Sequence, residues 1–336
     1  MAVFFKDHIP LHHVSLPFPL PEGVDPNQIV EVKRPFSVDE NLRALLTAID
    51  SAKKSDAHYV SAVLPVFPYA RQDKAISREG ITASRVAREI EEHGANMVLT
   101  LDIHNTAIAG FFKNIPCENL HSSNVIIAYV QEVLGMENFV TASVDAGGTT
   151  RANYYAKRMK TKLAMGYKRR DYTQASFVEQ VKILGEVVKR RRTFDEQVST
   201  IDEIVRAEDM DPAEAIKKIK EVLELEPERM NVLFVDDMIA TGGSLKGIVA
   251  RAKEIGAADV WFACALPLFT YPAVERIDEL YNEGLLKGVI GTNAIFHHPE
   301  EFKKAHPWYH EVAVEKYFAD AMFNINHYLS ISELLK

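Results

Sequence analysis

Short apolar runs rich in β-branched residues alternate along this chain with stretches whose apolar positions recur every three or four residues. That alternation predicts strands joined by amphipathic helices, and so an α/β fold with mainly parallel sheets. The first helix is the best marked. Ser37 with Glu40 three residues on forms a capping-box pattern, and Leu42, Leu45, Leu46 and Ile49 fall on one helical face. A strand is predicted at Tyr59–Val66, a helix from Thr82 to Gly94, and a strand over the MVLTLDI run at 97–103.

The same rhythm restarts near Phe139. An FVTASV strand leads into the turn Asp145-Ala146-Gly147-Gly148 and a helix through Lys160, with further strands at 162–166, 231–235, 259–266 and 288–292. Each half places an acidic or histidine-bearing turn directly after an apolar strand, as expected for a tandem pair of similar α/β units. Residues 188–228 break the rhythm, being highly charged, helix-patterned and without a strand-like run. Within them Asp211-Pro212-Ala213-Glu214 supplies an N-cap residue, a first-turn proline and an early acid. Ile216, Ile219, Val222 and Leu223 then make an apolar stripe, so the segment reads as an inserted helical hairpin. The expected organisation is an N-terminal domain over 1–140 and a C-terminal domain over 141–310 that carries the insertion. A C-terminal helix over 311–336 is expected to pack on the N-terminal domain.

A chain of 336 residues exceeds what one core usually serves, in keeping with two domains. No run approaches the roughly 20 apolar residues of a membrane helix. The opening MAVFFKDHIPLHH lacks a basic stretch ahead of an apolar one, so neither a membrane span nor a signal peptide is expected. Cys117 and Cys264 show no metal-ligand spacing and read as reduced core residues of a cytoplasmic protein. The formal charge of −8 argues against a nucleic-acid partner, while leaving room for local basic clusters that serve small anions.

The strongest chemical signal is Val232-Leu233-Phe234-Val235-Asp236-Asp237-Met238-Ile239-Ala240-Thr241-Gly242-Gly243-Ser244, ahead of a helix over Leu245–Ile255. An apolar strand ends in two carboxylates, and a Thr-Gly-Gly-Ser loop opens a helix. Such a loop can wrap backbone N–H groups around a phosphate where the helix dipole favours negative charge. Glycine lets the backbone come close, the hydroxyls of Thr241 and Ser244 add donors, and adjacent carboxylates suit vicinal ribose hydroxyls. Arg71 offers a rigid fork for phosphate oxygens. His104 follows a strand that places it at a carboxyl edge, where open α/β sheets bind ligands. Lys168, Arg169 and Arg170 form a basic cluster after a strand, suited to stabilising the negative charge of a phosphoryl group.

The 232–244 stretch resembles the loop that binds phosphoribosyl pyrophosphate (PRPP) in type I phosphoribosyltransferases and PRPP synthetases. Phe67-Pro68-Tyr69-Ala70-Arg71-Gln72-Asp73-Lys74 resembles the ATP-holding segment of the synthetases, which simple phosphoribosyltransferases lack. Leu101-Asp102-Ile103-His104 with Ala109-Gly110-Phe111-Phe112, then Val144-Asp145-Ala146-Gly147-Gly148, then Tyr167-Lys168-Arg169-Arg170, follow in that family's order. The chain is thus identified as a divergent member of the ribose-phosphate pyrophosphokinase family, from about Val38 onward.

The resemblance implies two tandem type I phosphoribosyltransferase-like domains, ATP on the N-terminal side and the PRPP loop in the second. It implies diphosphoryl transfer from magnesium-ATP to the C1 hydroxyl of ribose 5-phosphate, giving PRPP and AMP. Arg71, Gln72, Asp73 and His104 would hold ATP, and Asp236, Asp237, Thr241, Gly242, Gly243 and Ser244 the sugar phosphate. His104 and Asp145 would be the Mg2+ positions, with Lys168 and Arg170 catalytic. A cytoplasmic homo-oligomer with no nucleic-acid or membrane partner is implied as well. Ala240 stands where the family has an aspartate, the 188–228 insertion is extra, and Leu266-Pro267-Leu268-Phe269-Thr270 replaces a segment that usually carries histidine and glycine. Phe36-Ser37-Val38-Asp39-Glu40 only superficially matches the family's adenine-contacting loop. Two other readings stay open here: a non-catalytic relative that regulates a true synthetase, and a phosphoribosyltransferase.

Overall fold

In a computed structural model of the chain, the capping box closes as its sequence requires. Ser37 Oγ accepts from Glu40 N at 3.2 Å and Glu40 Oε2 accepts from Ser37 N at 2.7 Å, starting helix α1 (Val38–Lys54). The structure describes residues 3–4, 37–75, 78–136, 138–169, 180–185, 188–189, 194–206, 211–223, 228–297, 299–332 and 334.

The first sheet holds β1 (Val3–Phe4), β2 (Ser61–Leu64), β3 (Met97–Leu101) and β4 (Cys117–Leu120), all parallel and in that order. Helix α1 buries Leu42, Leu45, Leu46 and Ile49, and α2 (Thr82–Glu92) buries Ala83, Val86, Ala87 and Ile90. Both helices share one apolar cluster with residues of β2 and β3. Every residue of β2 and β3 is buried, which is why these strands read as unbroken apolar runs rather than alternating ones. Strand β4, with the sequence CENL, carries no such signal and was not expected.

Helix α3 (Ser123–Ala128) follows and continues as a π-helical turn at Tyr129–Val133. Its Ile126 and Ile127 pack with Phe139 and Leu233 of the second sheet. That sheet contains β5 (Phe139–Ser143), β6 (Lys162–Arg169) and β7 (Gln180–Leu184), with helix α4 (Thr149–Met159) between β5 and β6. Then come β8 (Val188–Lys189), α5 (Phe194–Arg206), α6 (Pro212–Leu223) and β9 (Glu228–Arg229). The chain closes with β10 (Asn231–Ile239), α7 (Gly243–Glu254), β11 (Val260–Pro267), α8 (Ala273–Asn282), β12 (Gly288–Thr292), α9 (Pro299–Ala305), β13 (Tyr309–Val312) and α10 (Glu315–Asn326).

The second sheet runs β13-β12-β11-β10-β5-β6-β7, parallel except for the β6–β7 pair. The inserted segment is a helical hairpin, α5 against α6, but it stands on a two-residue antiparallel stalk of β8 and β9 that its composition did not announce. Asp211 caps α6 through Oδ2, which accepts from Ala213 N and Glu214 N. Within α6, Ile216 is exposed and Ile219 half-buried; the side chains of Val222 and Leu223 lie outside the described residues. Helix α10 contributes Tyr317, Phe318 and Ala321 to a cluster with Val63, Leu99, Leu101 and Leu120 of the first sheet and Ala265 and Leu266 of β11. One apolar layer therefore ties the two sheets together. Among the described residues no helix is long and apolar enough to cross a membrane.

Candidate active site

In the second sheet the chain goes outward from β5 to β6 and β7, then returns to the other side of β5 with β10. The order reverses between β5 and β10, and the loops leaving their carboxyl ends diverge around a crevice, the usual ligand position in such sheets. The loop after β5 carries Asp145, Gly147 and Gly148; the end of β10, the turn after it and the start of α7 carry Asp236 to Leu245. The carboxyl edge of the first sheet faces them with Arg71, Asp73, Asp102 and His104. Together they line one cleft of about 1110 Å³.

His104 and Asp237 meet across the cleft, Nδ1 to Oδ2 at 2.5 Å. The bond raises the imidazole above its usual range against the effect of its own burial. Burial works to raise Asp237 also, but the His104 bond and the Arg151 charge hold its carboxyl below the usual range. Asp236 moves the other way, raised by burial and by the charge of Asp237 beside it. Asp237 Oδ1 accepts from Met238 N at 2.8 Å and Asp236 Oδ1 from Asp237 N at 2.9 Å, so the two acidic side chains brace the strand end. Arg151, in the first turn of α4, brings Nη1 to 3.8 Å from Asp236 Oδ1. The sequence singles out the two aspartates but not this arginine, because the pairing arises from the β5–β10 register rather than any local motif.

The glycine loop is built as its sequence demands. Gly242 has φ +72, and a Cβ there would lie 3.3 Å from Ala273 Cα of α8. Gly243 begins α7, so the first-turn N–H groups are free of intrahelical partners and lie at the cleft. Arg276 Nη1 donates to Thr241 O at 2.7 Å, anchoring the loop from behind. Ala240, Thr241 and Ser244 all line the cleft.

The ATP-side candidates separate. Arg71 and Asp73 line the cleft, and Asp73 Oδ2 accepts from Asn105 Nδ2 at 2.5 Å. Gln72 does not line it: its Oε1 accepts from Thr82 Oγ1 and its carbonyl from Ala83 N, at the start of α2. Ser37, Asp39 and Glu40 serve the α1 cap and a bond from Tyr69 OH to Asp39 Oδ1 at 2.6 Å, a structural use of the FSVDE stretch. Asp145 is exposed at the cleft, with Oδ1 accepting from Gly148 N at 3.1 Å. Lys168 sits on β6, paired with Val181; its side chain, and Arg170 altogether, lie outside the described residues. Among the described residues no group of three or more His, Cys, Asp or Glu is assembled to hold a metal.

Residues 27–94 match the N-terminal domain of ribose phosphate pyrophosphokinase, and residues 123–280 match the phosphoribosyl transferase domain. The ribose-phosphate pyrophosphokinase of Chlorobaculum tepidum is 34% identical over 257 residues, covering 76% of this chain and 65% of that protein. That of Corynebacterium ammoniagenes is 32% identical over 300 residues, covering 89% of this chain and 78% of that one. The crystal structure of phosphoribosylpyrophosphate synthetase from Mycobacterium smegmatis superposes with a TM-score of 0.66 at 25% identity, covering 86% of this chain and 79% of that chain. With both domain matches in order and a relative of 32% identity matched over 78% of its length, the chain belongs to the ribose-phosphate pyrophosphokinase family of enzymes.

Proposed function

We propose that this chain transfers the diphosphoryl group of magnesium-ATP to the C1 hydroxyl of ribose 5-phosphate, releasing PRPP and AMP. The observation that carries the reading is the single cleft in which Arg71 and His104 of the first sheet face the Asp236–Ser244 loop of the second. The 5-phosphate belongs on the N–H groups of the Thr241–Ser244 turn at the start of α7. His104 and Met238 N engage both oxygens of Asp237, so the ribose hydroxyls are assigned to Asp236, whose Oδ1 also accepts from Asp237 N. Arg71 takes phosphate oxygens of ATP from the opposite wall, with Asp73 held beside it by Asn105.

The C1 oxygen then attacks the β-phosphorus in line, a C1–O–Pβ bond forms as the hydroxyl proton is lost to water, and the bond from Pβ to the bridging oxygen of AMP breaks. No covalent enzyme intermediate is required, so the chain's work is positioning and charge stabilisation. Lys168 and Arg170 supply cations for the charge that develops on the transferring group. The donor set suits magnesium. Asp145 offers a hard oxygen, and His104, held at Nδ1 by Asp237, keeps Nε2 for coordination in the carboxylate–histidine arrangement common around metals. Magnesium held there would neutralise charge on the phosphate oxygens of ATP. The reading places the enzyme in the cytoplasm as a homo-oligomer, with one unit on the ATP side and the second carrying the sugar-phosphate loop.

Incubation with ATP, ribose 5-phosphate and magnesium tests the reading. Equal release of PRPP and AMP is expected; AMP without PRPP would mean water, not the sugar, accepts the group.

A further inference from the structure

One pair of groups at the cleft has no part in this chemistry. Asp102 and His121 occupy the positions just beyond β3 and β4, whose register pairs Leu101 with Leu120. Both therefore emerge at the carboxyl edge that faces the cleft. Asp102 is buried and adopts φ +42, a left-handed conformation uncommon for a residue with a side chain. Its Oδ2 accepts from Ser122 N at 2.8 Å and Ser122 Oγ at 2.5 Å, and its Oδ1 lies 3.2 Å from His121 Nδ1. The two donors of Ser122 already satisfy one carboxylate oxygen. The imidazole adds a third contact while remaining 40% exposed along the cleft wall. An acceptor-only carboxylate at Nδ1 requires the proton on that nitrogen and fixes the ring plane, so the Nε2 edge is the one left for a ligand.

We infer that His121 is a binding residue of this cleft, held by Asp102 so that Nε2 hydrogen-bonds a ribose hydroxyl of the bound substrate. The inference rests on the functional reading above and deepens it by adding a contact. Its chemical class follows from the surroundings. Asp102 stands directly behind the ring, and Arg151, 3.8 Å from Asp236, has its charge already offset by Asp236, Asp237 and Asp102. That negative field disfavours a phosphate at this corner. A hydroxyl is neutral and can either donate to or accept from the ring nitrogen, so it fits either protonation state of the imidazole. Both substrates carry ribose hydroxyls, and the test separates them.

Equilibrium binding by calorimetry avoids turnover when ribose 5-phosphate is titrated with α,β-methylene-ATP present, and ATP is titrated alone with magnesium. Each is compared with its 2-deoxy and 3-deoxy ribose counterpart, for the parent and for His121→Ala and His121→Asn. The Asn side chain keeps a donor for Asp102 but is too short to reach the ligand, which guards against a variant that fails to fold. For one substrate the parent should prefer the hydroxylated form by about tenfold. In both variants that ratio should collapse to about one, while the ratio for the other substrate stays. Parental ratios for both substrates in both variants would overturn the inference. A parent that binds neither substrate would overturn the functional reading and this inference with it.

Discussion

His104 and Asp237 are 133 positions apart in the chain and join at 2.5 Å, imidazole Nδ1 to carboxylate Oδ2, across the mouths of two different sheets. The contact couples the wall assigned to ATP with the strand end assigned to ribose 5-phosphate. It also fixes which imidazole nitrogen is available to a metal. Asp237→Asn should keep the fold, because the amide oxygen can still accept from Met238 N, yet it removes the charge that orients His104. Outer partners of this kind typically govern metal affinity or activity by about 10–100-fold. We expect PRPP formation to fall by that factor and to need more magnesium for half-maximal rate, read from rate against magnesium concentration. An unchanged magnesium curve would show that the pair does not orient a metal ligand.

The glycine at 242 is required by backbone geometry and by its neighbour. Gly242→Ala places a side chain at φ +72 and at 3.3 Å from Ala273 Cα, so the loop must shift. The left-handed conformation alone costs about 1–2 kcal/mol. Ribose 5-phosphate affinity measured by calorimetry should fall by about tenfold, with ATP affinity unchanged.

Lys168 and Arg170 are assigned to the transition state, so their loss should appear in kcat. Lys168→Ala and Arg170→Ala are each expected to lower kcat by about a thousandfold with small changes in either KM. Steady-state kinetics in both substrates checks this; a rise in KM at constant kcat would assign them to ground-state binding instead.

Asp102 predicts a pH-dependent stability. Burial acts to raise its carboxyl, but the His121 bond, the Arg151 charge and the Ser122 donors hold it below the usual range. A depressed acid contributes stability that is fully present above its unfolded value of about 3.9 and is lost as pH falls through the folded one. Asp102→Asn should therefore unfold about 2–3 kcal/mol more easily near neutrality, by denaturant titration. The gap to the parent should narrow below about pH 4.

Much of the fold was legible because parallel strands buried on both faces write unbroken apolar runs, as in β2, β3, β5 and β10. The Ser37–Glu40 box and the Asp211 cap were legible because capping is local chemistry. Strands β4 and β13 were not, since CENL and YHEV form strands only through their neighbours' register. The β6–β7 hairpin extends through Tyr167 and Lys168, which sequence alone placed at the start of a loop. In the site, the Asp236–Ser244 loop announced itself as a contiguous motif. The roles of Arg151, Arg276 and His121 did not, because each depends on contacts made by folding. The two aspartates also divide: one is claimed by His104, a partition no linear motif encodes.

The insertion offers an independent check on how the molecule is assembled. Val188 pairs with Arg229 and Lys189 with Glu228, so the stalk ends as an antiparallel ladder ready for a two-residue turn. Replacing residues 190–227 by Asn-Gly, a favoured hairpin turn, should leave the melting temperature of the remainder within a few degrees and preserve PRPP formation. Loss of activity with an intact fold would place the hairpin in the catalytic cycle.

The central claim is that the two walls of one cleft together move a diphosphoryl group from ATP to a sugar hydroxyl. The most direct measurement is PRPP and AMP quantified in the same reaction, with ATP, ribose 5-phosphate and magnesium, over a range of pH and phosphate. The account predicts equal, magnesium-dependent amounts of both. Protein that binds both substrates yet forms neither product would contradict it.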